Sequence, residues 1–583
     1  MRKLTAKLLV FVAIGLWAKP SNACTNYLVT KGASVDGSTM ITYAADSHYL
    51  FGELYFKPAA DYPSGTLMKI YEWDTGKYLG EIPQVNHTYS VVGNMNEYQV
   101  SLGETTYGGR EELADSTALI DYGSLMYIAL QRSKTAREAI KVMAELVDQY
   151  GYYSEGESFS VADPNEVWIF EMIGKGVDLK VDKKTKKTYN ANRGALWVAI
   201  RIPDGYVSGH ANHARITTFQ KENMTTSISS KNLDKIFDPN IEVVYAYDVV
   251  DYARKHKLFD GKDEDFSFSD TYAPLDFEGA RFCEIRVWSF FKEVNKSMWD
   301  YFDYAKGHNL SKRMPLYIKP ERKLSVSDMM GFMRDHLEGT ELDMSKDAGA
   351  GPHALPYRWR PLTWEYEGKT YFNERATATQ QTGFSFVAQA RNWLPNPIGG
   401  IFWFSVDDAA STVYFPVYCG VTSVPEAYAE GKGDMLTYCD NCAFWTFNKV
   451  SNFAYLRYDL MSQDIKKVQS ELETRFINNT PIVDATAKEL YTNDPKEAIK
   501  FLTDYTVNTG NYVVNRWEKL FQHLLLKYMD GNVKQEENGN LKYNKYNSCP
   551  APVKNPEYPN WWKKNLIEST GDKLLEPTTE SKH

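Results

Sequence analysis

The chain has 583 residues, 43% of them hydrophobic and 24% charged, with a formal net charge of −9 at pH 7. That composition belongs to a globular protein able to bury a sizeable core, and its acidic balance argues against nucleic acid or anionic membrane as a partner. No G-x-G-x-x-G follows a predicted strand and no G-x-x-x-x-G-K-[ST] occurs, so nucleotide binding has little support.

Residues 1–23 read as a removable signal peptide. Arg2, Lys3 and Lys7 give a basic start, residues 8–17 an apolar run, and Ser21-Asn22-Ala23 a small-x-small cleavage signal. The stretch is too short and wrongly flanked to span a membrane, and no later segment offers about eighteen consecutive apolar residues. An exported protein without an integral membrane segment is therefore expected, periplasmic or extracellular. Losing the leader removes Arg2, Lys3, Lys7 and Lys19 but no acid, which leaves the remainder four charges more negative. Cleavage before Cys24 gives that residue both a thiol and a free α-amino group.

Residues 24–30 are a β-favouring run, Asp36-Gly37 signals a turn, and residues 38–44 form a second apolar strand, which together predict a hairpin. Further strands are predicted at 89–92, 99–105, 157–162, 167–172 and 196–202. Between the second and third of these, Leu125, Ile128, Ala129, Ile140, Met143, Ala144 and Val147 recur at helical spacing and predict a helix within 122–150. Residues 384–388, 400–406 and 412–417 again look like strands. Beyond about 449 the pattern is helical, with Phe453, Leu456, Leu460, Met461, Ile465, Val468 and Leu472 on one face and a second helix over 513–528. Strands and helices in mixed order fit an α+β layered fold better than a doubly wound sheet. With no low-complexity linker or repeat, one large domain over 24–530 is expected, and the Asn-, Lys- and Pro-rich remainder, 531–583, reads as a surface tail that is partly disordered.

Cys283, Cys419, Cys439, Cys442 and Cys549 are an odd set at irregular spacings, which is no disulfide framework but leaves room for one bridge. Cys439-Asp440-Asn441-Cys442 lacks the second pair a zinc site needs, so a structural or incidental role is favoured over redox or metal chemistry. His210 and His213 stand at H-x-x-H spacing on a loop without a third ligand or an H-E-x-x-H, and neither metal nor other cofactor is expected.

A thiol on an N-terminal residue needs no separate histidine, because an α-amine with a pKa of about 8 is partly neutral at pH 7 and can act as its base. The amine takes the thiol proton, the thiolate attacks an amide carbonyl, the ammonium protonates the departing amine, and water hydrolyses the thioester. The reaction further requires an acid near the ammonium and donors for the oxyanion. Folding residues 24–30 back around 34–37 sets Cys24 opposite roughly 45–49, which nominates Asp46 as that acid; the alternative is that Asp46 caps the end of a strand.

Cys24-Thr25-Asn26-Tyr27-Leu28-Val29 followed by Asp36-Gly37-Ser38-Thr39 resembles the mature start of the cysteine dipeptidases of the dipeptidase A and secernin family. The likeness continues through Gly93-Asn94-Met95-Asn96-Glu97, Ala162-Asp163-Pro164, Ala211-Asn212-His213-Ala214-Arg215-Ile216 and Glu338-Gly339-Thr340. The resemblance implies a four-layer αββα N-terminal nucleophile hydrolase sandwich, here with added C-terminal helices, and hydrolysis of dipeptides without a metal. It also implies kinship with penicillin V acylases and bile salt hydrolases, so related amide hydrolysis is the second enzyme reading. Those relatives end the first hairpin in Arg-Asn-x-Asp, whereas this chain has Tyr43-Ala44-Ala45-Asp46.

Within the segments that carry the resemblance, Asn212 is the candidate oxyanion donor or else a turn-forming asparagine. Arg215 either pairs with a substrate carboxylate or sits in a structural ion pair. Glu104, at the end of a predicted strand, is a candidate for holding a substrate ammonium. The non-enzyme alternative is a lipoprotein anchored at Cys24, although Ser21 stands where a lipobox has Leu or a similar apolar residue.

Overall fold

The computed structural model describes residues 23–577. The leader expected at 1–23 lies outside the described residues apart from Ala23. Strands β1 (Ala23–Val29) and β2 (Thr39–Asp46) are buried along their whole length. They pair antiparallel with Ala23 opposite Asp46, Cys24 opposite Ala45 and Val29 opposite Met40. Their connection passes through a 3-10 turn, Lys31–Ala33, and through Gly37, whose φ of 82° is the left-handed region that glycine enters without strain.

The hairpin lies in the middle of a seven-stranded sheet. β1 pairs on its other edge with Val207–His210, and β2 with Thr382–Ala390, beyond which come Ile401–Val406 and Phe415–Tyr418. A strand covered by neighbours on both edges and by packing on both faces carries a continuous apolar run rather than an alternating one, and that is the pattern of these segments.

A nine-stranded sheet has at its centre the antiparallel meander Ser101–Tyr107, Gly156–Ala162, Val167–Gly174 and Ala195–Arg201. It contacts β1 and β2 through Ser101–Tyr107, and β2 also through Gly156–Ala162. At the closest approach Asn26 Nδ2 donates to the Glu104 carbonyl at 2.6 Å. Gly103 makes that approach possible, because a Cβ there would run into Asn26 Oδ1.

Helices pack against each sheet. The stretch predicted as one helix over 122–150 is two, α1 (Tyr122–Arg132) and α2 (Ala136–Tyr150). The break comes from Thr135, which leaves helical geometry to cap α2, its hydroxyl accepting from Glu138 N at 3.1 Å. On the seven-stranded sheet, Ala443–Ala454 packs against Ile401–Val406, while Tyr458–Asn493 and Pro495–Tyr528 pack against Phe415–Tyr418. The helix Pro495–Tyr528 begins earlier than the pattern over 513–528 predicted, since Asp494 caps it and Pro495 opens it. Cys439 and Cys442 form a disulfide ahead of Ala443–Ala454. Past Gly531 the chain forms short strand pairs and a helix, Asn560–Thr570, that buries none of its residues, so the expected surface tail carries more local structure than its composition indicated. Among the described residues no helix is long and apolar enough to cross a membrane.

Candidate active site

Register puts Cys24 at the mouth of the inter-sheet space with Asp46 beside it. Cys24 is 5% exposed and lies on the floor of a cavity of about 320 Å³ walled by Tyr43, Tyr55, Trp73, Tyr122, Tyr127 and Phe384. In this chain its nitrogen is the amide joined to Ala23, and it donates to Asn212 Oδ1 at 2.8 Å. Its sulfur is 3.5 Å from Glu104 Oε1 and 3.7 Å from the Tyr43 hydroxyl, and Tyr43 closes the triangle by donating to Glu104 Oε1. The thiol pKa is raised well above its ordinary value by burial, then by the charges of Glu104 and Asp46; the Asp46 backbone N–H and the Tyr43 hydroxyl work in the opposite direction.

Asp46 is buried and paired with Arg375, whose Nη2 lies 2.6 Å from Oδ2, while Thr382 Oγ1 donates to Oδ1 at 2.6 Å. Burial raises its pKa and Arg375 pulls it back. The same Arg375 nitrogen reaches the Ala23 carbonyl at 3.4 Å. A second guanidinium, Arg286, holds the backbone of Cys24: Nη1 donates to the Cys24 carbonyl at 2.6 Å and to Thr25 Oγ1 at 2.8 Å, and Nη2 to Asn212 Oδ1 at 2.8 Å.

Asn212 therefore meets Cys24 in an orientation other than the one expected. Its φ of 54° is one asparagine tolerates, and its amide is turned so that the oxygen faces the Cys24 nitrogen while Nδ2 donates to the Thr106 carbonyl at 2.6 Å. In this orientation its N–H is not directed at the sulfur. Arg215 takes the structural alternative. It is 3% exposed, its Nε lies 2.8 Å from Glu284 Oε1, and its Nη atoms donate to the carbonyls of Gly209, Leu316 and Pro315, so no substrate carboxylate reaches it.

Glu104 faces the cavity 2% exposed, with its pKa raised chiefly by burial. Glu157, on the neighbouring strand, is raised well above its ordinary value because the charge of Glu104 adds to its own burial. His210 is wedged between the sheets, its Nδ1 2.7 Å from Thr105 Oγ1 and its Nε2 2.8 Å from Ser160 Oγ, and burial lowers its pKa to about 3. His213 is lowered to about 4 for the same reason. Among the described residues no cluster of His, Cys, Asp and Glu is arranged to hold a metal ion.

Sequence reasoning missed Arg286, Arg375, Thr382 and Glu157, and noted Tyr43 only as a departure from related enzymes. None belongs to a local pattern: Thr382 and Glu157 arrive through strand pairing, Arg286 on a helix packed against β1, and Arg375 on the loop that precedes Thr382–Ala390.

The family model for peptidase family C69 matches residues 23–471. The chain is 24% identical to a probable dipeptidase of Latilactobacillus sakei, over 77% of this chain and 85% of that protein. It is 22% identical to a probable dipeptidase of Salmonella dublin, over 68% and 81%, and 23% identical to dipeptidase A of Lactobacillus helveticus, over 70% and 77%.

Proposed function

Since the chain belongs to peptidase family C69 and is a peptidase, we propose that it is an exported dipeptidase whose nucleophile is Cys24, exposed as the N-terminal residue by removal of residues 1–23. The observation that carries this reading is the pairing of two contacts on one residue: the Cys24 nitrogen on Asn212 Oδ1 and the Cys24 sulfur in the cavity floor beside Glu104 and Tyr43. A nitrogen held there as a free amine lies next to its own thiol and takes the proton from it. The thiolate attacks the peptide carbonyl, the ammonium returns its proton to the leaving amine, and water releases the acyl group from sulfur. Asn212 keeps the amine aimed, Arg286 fixes Asn212 and the Cys24 backbone, and Asp46 with Arg375 sets the charge behind it. Glu104 receives the substrate's α-ammonium in this reading, which would offset part of the negative charge that adds to burial in raising the thiol pKa.

The two facing sheets and the helices packed on each support the four-layer arrangement of N-terminal nucleophile hydrolases, with the catalytic domain running to about residue 530. Burial of Cys24 speaks against the lipoprotein reading, because a diacylglyceryl group on its sulfur would have to fill the cavity floor.

Three preparations test the proposal on a dipeptide panel that includes penicillin V and glycine-conjugated bile acids as competing amides. The processed protein should cleave dipeptides. Cys24→Ala should lose at least about 10³-fold in kcat while keeping its unfolding transition, and a chain retaining any residue ahead of Cys24 should be silent. Near wild-type turnover by Cys24→Ala would rule the mechanism out.

A further inference from the structure

The cavity in front of Cys24 has a charge bias larger than bond cleavage uses. Asp46, Glu53, Asp74, Glu104 and Glu430 line it, and among the described residues no lysine or arginine does. Asp46 is compensated from behind by Arg375, and Glu430 from outside the cavity by Lys57 at 2.9 Å. Glu53 and Asp74 are bonded by neutral donors, the Gly431 N–H at 2.8 Å and the Tyr122 hydroxyl at 2.9 Å. On the floor, Glu104 is hydrogen-bonded to Glu157, another acid, and not to a cation. Carboxylates removed from water without a cation lie above their ordinary pKa, and Glu53, Asp74 and Glu104 are all raised, burial being the largest cause for each.

Part of the cavity wall is aromatic. Trp73 stacks on Tyr127 with ring centroids 4.8 Å apart, and Tyr55 stands edge-on to both at 5.1 Å and 5.8 Å. Aromatic faces of this kind attract ammonium and guanidinium groups and pack against methylene chains.

We propose that this cavity selects peptides whose N-terminal residue is basic, the α-ammonium resting on Glu104 and the lysine or arginine side chain running past Tyr55, Trp73 and Tyr127 to Asp74 and Glu53. The inference rests on the dipeptidase reading and narrows it to a substrate class. Charge-assisted hydrogen bonds of this type discriminate by at least about tenfold over an uncharged stem of equal length.

The test compares Lys-Ala with norleucyl-Ala, which keeps the stem and removes the charge, on the processed protein. The expected kcat/KM ratio is at least about tenfold in favour of Lys-Ala, falling toward one in the Glu53→Gln, Asp74→Asn double variant. Equal kcat/KM for the two peptides overturns the inference and leaves dipeptide hydrolysis standing. Calorimetric binding of lysinamide and norleucinamide to Cys24→Ala reads the same preference without turnover, and equal affinities again overturn it. Tighter binding of lysinamide by a protein that cleaves no dipeptide would keep the cation pocket and sink the dipeptidase reading.

Discussion

Asn212 touches Cys24 through an oxygen, so the effect of removing it is a loss of aim at the nitrogen. Asn212→Ala is expected to lower kcat by about 10–100-fold with KM changed less than about threefold, and Asn212→Asp, which still accepts, to recover part of the loss. Initial-rate kinetics separate this from a substrate-binding role, which would move KM. His210 offers a test by pH. Its folded pKa of about 3 lies below the ordinary value, so the neutral ring's contribution is complete above pH 6.5 and is lost as pH falls toward 3. By pH 5 the loss amounts to about 2 kcal/mol, and His210→Gln should flatten the fall in unfolding free energy between pH 7 and pH 5 by that amount, read by denaturant titration at each pH. At this scale legibility followed locality. Cys24 and Asp46 could be set side by side because one hairpin joins them, whereas Arg286 is 262 residues from Cys24 and Arg375 is 329 residues from Asp46, with nothing in either neighbourhood to mark it.

The strands were legible as elements because continuous apolar runs bounded by turn residues leave few alternatives at these lengths. Their partners were not. The break between α1 and α2 was written in Thr135-Ala136-Arg137-Glu138, a capping-box spacing that the apolar repeat on either side concealed. Thr135→Ala should cost about 1 kcal/mol, seen as a lower denaturation midpoint at unchanged slope. The contact between the sheets depends on a smaller detail. Gly103→Ala drives a methyl group into Asn26 Oδ1 and should cost about 1–3 kcal/mol. It should also lower turnover, because Gly103 precedes the glutamate that faces Cys24; a variant with wild-type stability and rate would show that the sheets can part without consequence.

Across the whole molecule the matched family region ends at residue 471, yet the core does not. Trp517 is fully buried and stacks on Phe447 at 4.9 Å, while Arg334 pairs with Glu473 and Arg391 with Asp484. Truncation after residue 493 should therefore give insoluble chain, and truncation after residue 531 a protein with the wild-type unfolding transition, assayed by soluble yield and thermal melting. The helical character of this region could be read from its periodicity, but its role as the cover of the seven-stranded sheet could not, since periodicity marks an apolar face without saying what it meets. The burial of residue 24 has one more consequence, for anyone looking for the processed form in cells. Its nitrogen is buried against Asn212, so an amine-reactive tag should react with it more slowly than with an exposed N-terminus. If Cys24 begins the processed chain, as proposed above, N-terminal labelling on folded protein should under-report it relative to labelling after denaturation.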